Sequence, residues 1–191
     1  PFCKIKCPYC DFNSYKKEST NQSHWLKAYL RALELWSSRL DKREIKSIFF
    51  GGGTPSLLDP DFVAMVLQKI DSLWSINGNC EITIEANPNS VSESKFKLFK
   101  EIGINRVSIG VQALNNRDLS NLGRDHNKNQ AIEAIEVINT WFKNYNLDFI
   151  YGRQHQSTSE WRDELLEILS LDAPHLSLYQ LTIEENTNFH K

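Results

Sequence analysis

Apolar and polar positions along this chain switch repeatedly between two periods. Trp25, Leu26, Tyr29, Leu30, Leu33, Trp36 and Leu40 recur at helical spacing. IKSIFF (45–50) then reads as a strand, closed by Gly51-Gly52-Gly53. Asp59 stands at an N-cap before Pro60, and Phe62, Val63, Val66, Ile70 and Trp74 make the stripe of the helix that follows. EITIEA (81–86) is the next predicted strand. Ser90 and Glu93 have capping-box spacing ahead of Phe96 and Phe99, and Gly103 stops that helix. RVSIGV (106–111) predicts a strand, Ala131, Ile135, Ile138 and Phe142 a helix, and LDFIYG (147–152) another strand. A second capping box, Ser157 with Glu160, precedes Trp161, Leu165 and Ile168, and HLSLYQL (175–181) is the last strand.

Strands and helices alternate with no break in composition, which predicts one α/β domain with a parallel sheet and right-handed crossovers. In barrels built this way, chemistry sits where strands end and helices begin. The three glycines, Glu85 with Asn87, and Gln112 follow the first three predicted strands, and Asp148 lies within the fourth. A further strand is expected just ahead of the cysteine-rich opening, upstream of Pro1.

Composition adds limits. At 191 residues and 40% hydrophobic, the chain can bury one sizeable core. A formal net charge of −2 argues against a broad phosphate-binding surface, so nucleic acid is not an expected partner. No apolar run is long enough to cross a bilayer, and no signal-peptide pattern is visible. Pro1 directly before the cysteines and TNFHK at the last positions lead us to expect a piece of a longer chain, incomplete at both ends. Any upstream targeting segment would then lie outside this sequence.

The opening PFCKIKCPYC holds three of the four cysteines, Cys3, Cys7 and Cys10, at C-x3-C-x2-C spacing. A disulfide between two of them would close a very short loop and leave one thiol over, so a reducing, cytoplasmic setting fits better. Cys80, alone beside an apolar strand, reads as a small buried hydrophobe. Structural zinc wants four closed ligands, and neither a second C-x2-C nor a histidine at finger spacing follows. A [4Fe–4S] cluster held by three protein thiolates keeps one iron open to an outside ligand. A zinc-binding or iron–sulfur module without catalysis stays open as a separate class.

CKIKCPYC resembles the cluster loop of the radical S-adenosylmethionine (SAM) superfamily. FFGGGTPSLL, EANP, NRVSIGVQAL, LGRDH, DFIYG and HLSLYQLTIE are similar to the HemN/HemW group, the oxygen-independent coproporphyrinogen III oxidase-like proteins, from Pro1 to about Glu184. The resemblance implies a partial (β/α)6 barrel over residues 1–191, lacking its first strand. It also implies a [4Fe–4S] cluster on Cys3, Cys7 and Cys10, with SAM on the open iron and cleaved by one electron to methionine and a 5′-deoxyadenosyl radical. The oxidase members resemble C-x3-C-x2-C-x-C, whereas Phe12 stands here at the fourth cysteine position. That is similar to the HemW branch, whose family role is heme binding and delivery. The partners so implied are SAM, heme or porphyrin, an electron donor and a heme-accepting protein. Porphyrinogen oxidation is the alternative.

By the same resemblance Gly52, Gly53 and Thr54 hold the methionine end of SAM, and Glu85 takes part in SAM binding, where the residue alone reads equally as a rim carboxylate. Gln112 resembles a ribose contact, Arg124 a partner for the SAM carboxylate, and Asp148 a buried carboxylate satisfied by ribose hydroxyls. Tyr9 stacks near the adenine or packs the loop; Thr182 is a weaker candidate. His126, His155 and His175 read as surface or strand-start residues, not ligands. One departure stands out: the family resembled usually reads Leu-Pro-Gly after IYG, and this chain has Arg153-Gln154-His155.

Overall fold

A computed structural model describes residues 1–16 and 21–191. Two two-residue strands, β1 (Phe2–Cys3) and β2 (Tyr15–Lys16), pair in parallel and bracket the cysteine loop. The body follows as α1 (Gln22–Ser37), β3 (Ile45–Phe50), α2 (Pro60–Trp74), β4 (Ile76–Ala86), α3 (Glu93–Glu101) and β5 (Arg106–Gln112). It continues with α4 (Asn116–Asn121), α5 (Lys128–Trp141), β6 (Asn144–Tyr151), α6 (Thr158–Ser170) and β7 (His175–Gln180). The sheet runs β3-β4-β5-β6-β7, every pair parallel. Sequential order in a parallel sheet with helical crossovers is the pattern of an α/β barrel wall. Here the wall is partial: β3 and β7 are its edges among the described residues.

The predicted alternation holds, and the differences have local causes. β4 begins at Ile76, five residues before the predicted strand. Asn77-Gly78-Asn79 reads as a turn, yet it forms a bulge inside a continuous strand: Ile45 pairs with Ile76, but Ser47 already pairs with Glu81. The Asn77 side chain accepts from Asn79 N at 2.9 Å and closes that bulge locally. Ser90 does not cap α3. Its hydroxyl closes a 3-10 turn with Asn87 and bonds the Ser56 hydroxyl, and α3 starts at Glu93 behind Ser92. Asp59 takes the N-cap position of α2 without a side-chain bond, whereas the Ser157–Glu160 capping box forms as predicted. The six-residue α4 carries no apolar period and was invisible to periodicity.

The core lies between the sheet and α2, α3 and α5. Val107, Ile109 and Val111 of β5 are fully buried, as expected of a central parallel strand covered on both faces. Phe96, Phe99 and Phe142 form its aromatic centre, with Phe96 edge-on to Phe99 at 5.4 Å and to Phe142 at 6.3 Å. Cys80 is buried in the same cluster, as expected of a small hydrophobe. This packing fixes the C-terminal ends of the strands relative to one another.

Candidate functional site

The cysteine loop lies across those strand ends, held by close backbone approach. Thr54 N donates to Phe2 O at 2.9 Å. A Cβ on Gly53 would sit 2.5 Å from Phe2 O, so the absent side chain lets the two backbones meet. Gly123 (φ +65) plays the same part for Pro8, whose ring would meet a Cβ there at 2.5 Å. Within the loop Cys10 N donates to Cys7 O at 3.1 Å, and Lys6 Nζ donates to the carbonyls of Phe12 and Ser14. Residues 188–190 fold back onto the loop: Phe189 N donates to Pro8 O at 3.1 Å, and the Phe189 ring packs 6.2 Å from Tyr9.

A chain of side-chain hydrogen bonds then ties two of the thiols to three strand ends. Thr54 Oγ1 donates to Cys3 Sγ at 3.5 Å and accepts from Asn87 Nδ2 at 2.9 Å. Asn87 Oδ1 accepts from Arg124 Nη2 at 2.6 Å, and the same nitrogen donates to Gly110 O at 2.9 Å. Arg124 Nη1 donates to Cys7 Sγ at 3.4 Å and to Tyr9 Oη at 3.3 Å. Arg124 is therefore no surface arginine. Its buried Nε has no partner. Burial raises the Tyr9 phenol well above its ordinary range, with the Arg124 guanidinium working against it.

Opposite the loop stand two carboxylates. Glu85 on β4 accepts from Gly52 N at 3.0 Å, and burial raises its carboxyl, the Gly52 N–H opposing. Asp148 on β6 accepts from Ser108 Oγ at 3.0 Å and Tyr179 Oη at 3.2 Å, and from Asn146 Nδ2. Burial raises its carboxyl too, against those donors. Between them, Gln112 ends β5 with φ +73 beside a register shift at Gly110/Gln112, and its buried Oε1 has no partner.

Every residue that the resemblance assigns to the cluster or to SAM lines one cavity of about 320 Å³: Cys3, Cys7, Tyr9, Cys10, Gly52, Gly53, Thr54, Glu85, Gln112, Arg124 and Asp148, and the weaker candidate Thr182 lines it too. Asn87, placed at a strand end from the sequence but given no role there, belongs to the same lining, as do Ser108 and Tyr179, which escaped notice. Phe12 also lines it and is 56% exposed, so it is not a core aromatic in place of a thiol. His126 is buried, contrary to its surface reading. Its Nε2 bonds Val111 O at 3.1 Å, and burial with the nearby Arg124 charge lowers its pKa to about 4. Among the described residues no three His, Cys, Asp or Glu side chains gather around a single metal-ion position. A four-iron cubane takes each thiolate on a different iron, so three thiols around one space suit it without converging on one point. Three lining residues leave buried atoms without a partner, Ser14 Oγ, Gln112 Oε1 and Arg124 Nε, and the last two are an acceptor and a donor that a polar ligand in this space would satisfy.

A parallel wall of this order, with a three-thiol loop across its strand ends, defines a class. Residues 1–168 match the family model of the radical SAM superfamily, and the chain belongs to that superfamily. Within it, the chain is similar to proteins named heme chaperone HemW: 40% identical to that of Haemophilus influenzae over 99% of this chain and 51% of the relative, and 39% identical to that of Escherichia coli over 99% and 50%. The chain thus spans about half the length of the curated relatives it matches. Among solved structures, coproporphyrinogen III oxidase (HemN) from Escherichia coli, described as a radical SAM enzyme, superposes with a TM-score of 0.79 at 26% identity, over 95% of this chain and 42% of that one. No helix among the described residues is long and apolar enough to cross a membrane.

Proposed function

We propose that this chain is the cluster- and SAM-binding part of a HemW-like heme chaperone, a protein that binds heme and hands it to an acceptor protein. The observation that carries the reading is the single cavity lined jointly by the three loop cysteines and by Glu85, Gln112, Arg124 and Asp148. The similarity to HemW relatives supports the chaperone branch. On this reading residues 1–191 are one radical SAM core unit within a longer protein, working in a reducing, cytoplasmic setting that keeps its cysteines as free thiols.

Cys3, Cys7 and Cys10 would hold the [4Fe–4S] cluster, which when bound offers an open iron and one-electron chemistry to SAM. Thr54 and Arg124 donate to two of the sulfurs and orient the loop. Gly52 and Gly53 present backbone where a side chain would obstruct, and Glu85 and Asp148 are acceptors for the amino and hydroxyl groups of SAM. Gln112 offers its unpartnered oxygen to the same ligand. Arg124 reaches the SAM carboxylate through Nε or by releasing one present partner, and Tyr9 packs the loop. Heme, its ligand, the acceptor and the electron donor are contributed outside these described contacts.

Porphyrinogen oxidation is a second reading, favoured by the structural likeness to the HemN oxidase. Phe12 at the fourth cysteine position weighs against it. Full-length protein, reconstituted anaerobically, would be given coproporphyrinogen III, SAM and reductant, and separately titrated with heme. Stoichiometric heme binding without protoporphyrinogen formation is expected. Turnover of the porphyrinogen would transfer the conclusion to the second reading.

A further inference from the structure

Arg153 stands where the resemblance leads one to expect leucine, and it is not on the surface. Its side chain is 3% exposed, and its two partner carboxylates, Asp118 and Glu164, are 2% and 7% exposed. Arg153 Nε donates to Asp118 Oδ2 at 2.9 Å, and Nη2 donates to Glu164 Oε2. The remaining nitrogen bridges the ends of two adjacent strands: Nη1 donates to Ile150 O on β6 at 2.6 Å and to Gln112 O on β5 at 3.3 Å. Glu164 also accepts from Leu114 N at 2.8 Å, so α6 grips the chain on both sides of Ala113 through one carboxylate and one guanidinium.

The grip falls where β5 departs from regular geometry. Gly110 pairs with Asp148 while Gln112 pairs with Phe149, so one residue is extra on β5. Gln112 then adopts φ +73, a left-handed conformation that costs a non-glycine residue energy and persists only where neighbours enforce it. That turn lays the Gln112 amide over Gly110, where a Cβ would stand 2.9 Å from Nε2, and leaves Oε1 unpartnered at the cavity. A planar guanidinium can hold two carboxylates and two carbonyls at once; a leucine holds none of them.

We propose that Arg153 is a positioning residue for Gln112: anchored by Asp118 and Glu164, it holds the Gln112 carbonyl and thereby the turn that presents the carboxamide to the ligand. The inference rests on the reading of Gln112 as a SAM contact. It assigns to the departure at 153 a part in SAM affinity, although Arg153 itself stands outside the cavity lining.

The test is a double-mutant cycle on full-length protein carrying its cluster. Arg153→Leu would strand two buried carboxylates and is expected to unfold, so the working variant is Arg153→Lys, which keeps the charge and loses the fork. SAM titration by calorimetry is paired with melting in the absence of SAM and with iron content. Gln112→Ala is expected to raise the SAM Kd about tenfold, and Arg153→Lys about three- to tenfold. In the Gln112→Ala background Arg153→Lys should add nothing, because its route to the ligand has been removed. An equal effect of Arg153→Lys in both backgrounds would show a general structural role and overturn the proposal. Weaker SAM binding in Gln112→Ala beside wild-type affinity in Arg153→Lys would overturn it while leaving the SAM reading of Gln112 standing. Wild-type affinity in Gln112→Ala would overturn both. If Arg153→Lys does not fold, the same cycle runs with Arg153→Leu, Asp118→Leu and Glu164→Gln combined, which removes the buried charges together and keeps an acceptor for Leu114 N.

Discussion

Arg124 offers the sharpest test of how the cysteine loop is held. Arg124→Met keeps most of the apolar stem and removes four donated bonds: to Asn87 Oδ1 (2.6 Å), Gly110 O (2.9 Å), Tyr9 Oη (3.3 Å) and Cys7 Sγ (3.4 Å). The first two have good geometry, and both acceptors would be left without this donor in a part-buried setting. At roughly 1–3 kcal/mol for each polar group so stranded, the loss is about 2–6 kcal/mol. For a domain of this size 1 kcal/mol moves Tm by roughly 2–4 °C, so the melt should fall by about 4–24 °C with no SAM present. Because two of the lost bonds end on the loop, iron retained after anaerobic reconstitution should fall as well. An Arg124→Lys protein, able to replace one or two of the four bonds, should lie between. Calorimetric melting with iron and sulfide analysis of the same samples decides it. Unchanged melting and full iron content in Arg124→Met, with only SAM affinity lost, would refute the scaffold argument and return Arg124 to a pure ligand contact.

Three further outcomes are expected. Cys7→Ala should abolish cluster retention, whereas Cys80→Ala, in the core, should keep iron and sulfide at wild-type levels; the reverse pattern in metal analysis would sink the ligand assignment. His126 is held neutral, its pKa lowered to about 4 from an ordinary 6.5, so it favours the folded state fully above pH 6.5 and loses that contribution as pH falls towards 4. The loss approaches about 2–3 kcal/mol, and urea midpoints across pH 4–7 should fall more steeply in the wild type than in His126→Gln. Phe12→Cys, at an exposed position, should change stability by less than about 0.5 kcal/mol and yield no protoporphyrinogen, since one thiol does not build a substrate pocket.

How much could be read beforehand follows the range of the interactions. Alternating periods marked every strand of the main sheet and most of its helices, because burial on one face repeats along the chain. The cavity was legible for a related reason: strand ends in a parallel wall all face the same way, so Glu85, Gln112 and Asp148 meet without any residue of one needing knowledge of another. The Asn77-Gly78-Asn79 bulge was not, since its local chemistry is that of a turn and only the pairing partner reveals a strand. The Arg153 network was hidden more deeply. Its members come from α4, α6 and the loop after β6, and each carboxylate alone reads as a solvated helix residue. Gly53 holds a second role that the sequence did not display: its missing side chain also admits the backbone of Phe2.

The fold-back of residues 188–190 onto the cysteine loop carries a consequence for biosynthesis. The strands join in order as they are made, each beside the one before, but Phe189 must reach Pro8 and Tyr9 across nearly the whole length of the chain. At translation rates of about 5–20 residues per second, the thiols of the opening loop wait on the order of ten to forty seconds before that clasp exists. During that interval the loop is a tethered peptide beside a growing sheet, accessible to whatever would load the proposed cluster. Afterwards it is held by Phe189 as well. On the proposed reading, the order of synthesis puts the loop within reach of a cluster donor before residues 188–190 clasp it.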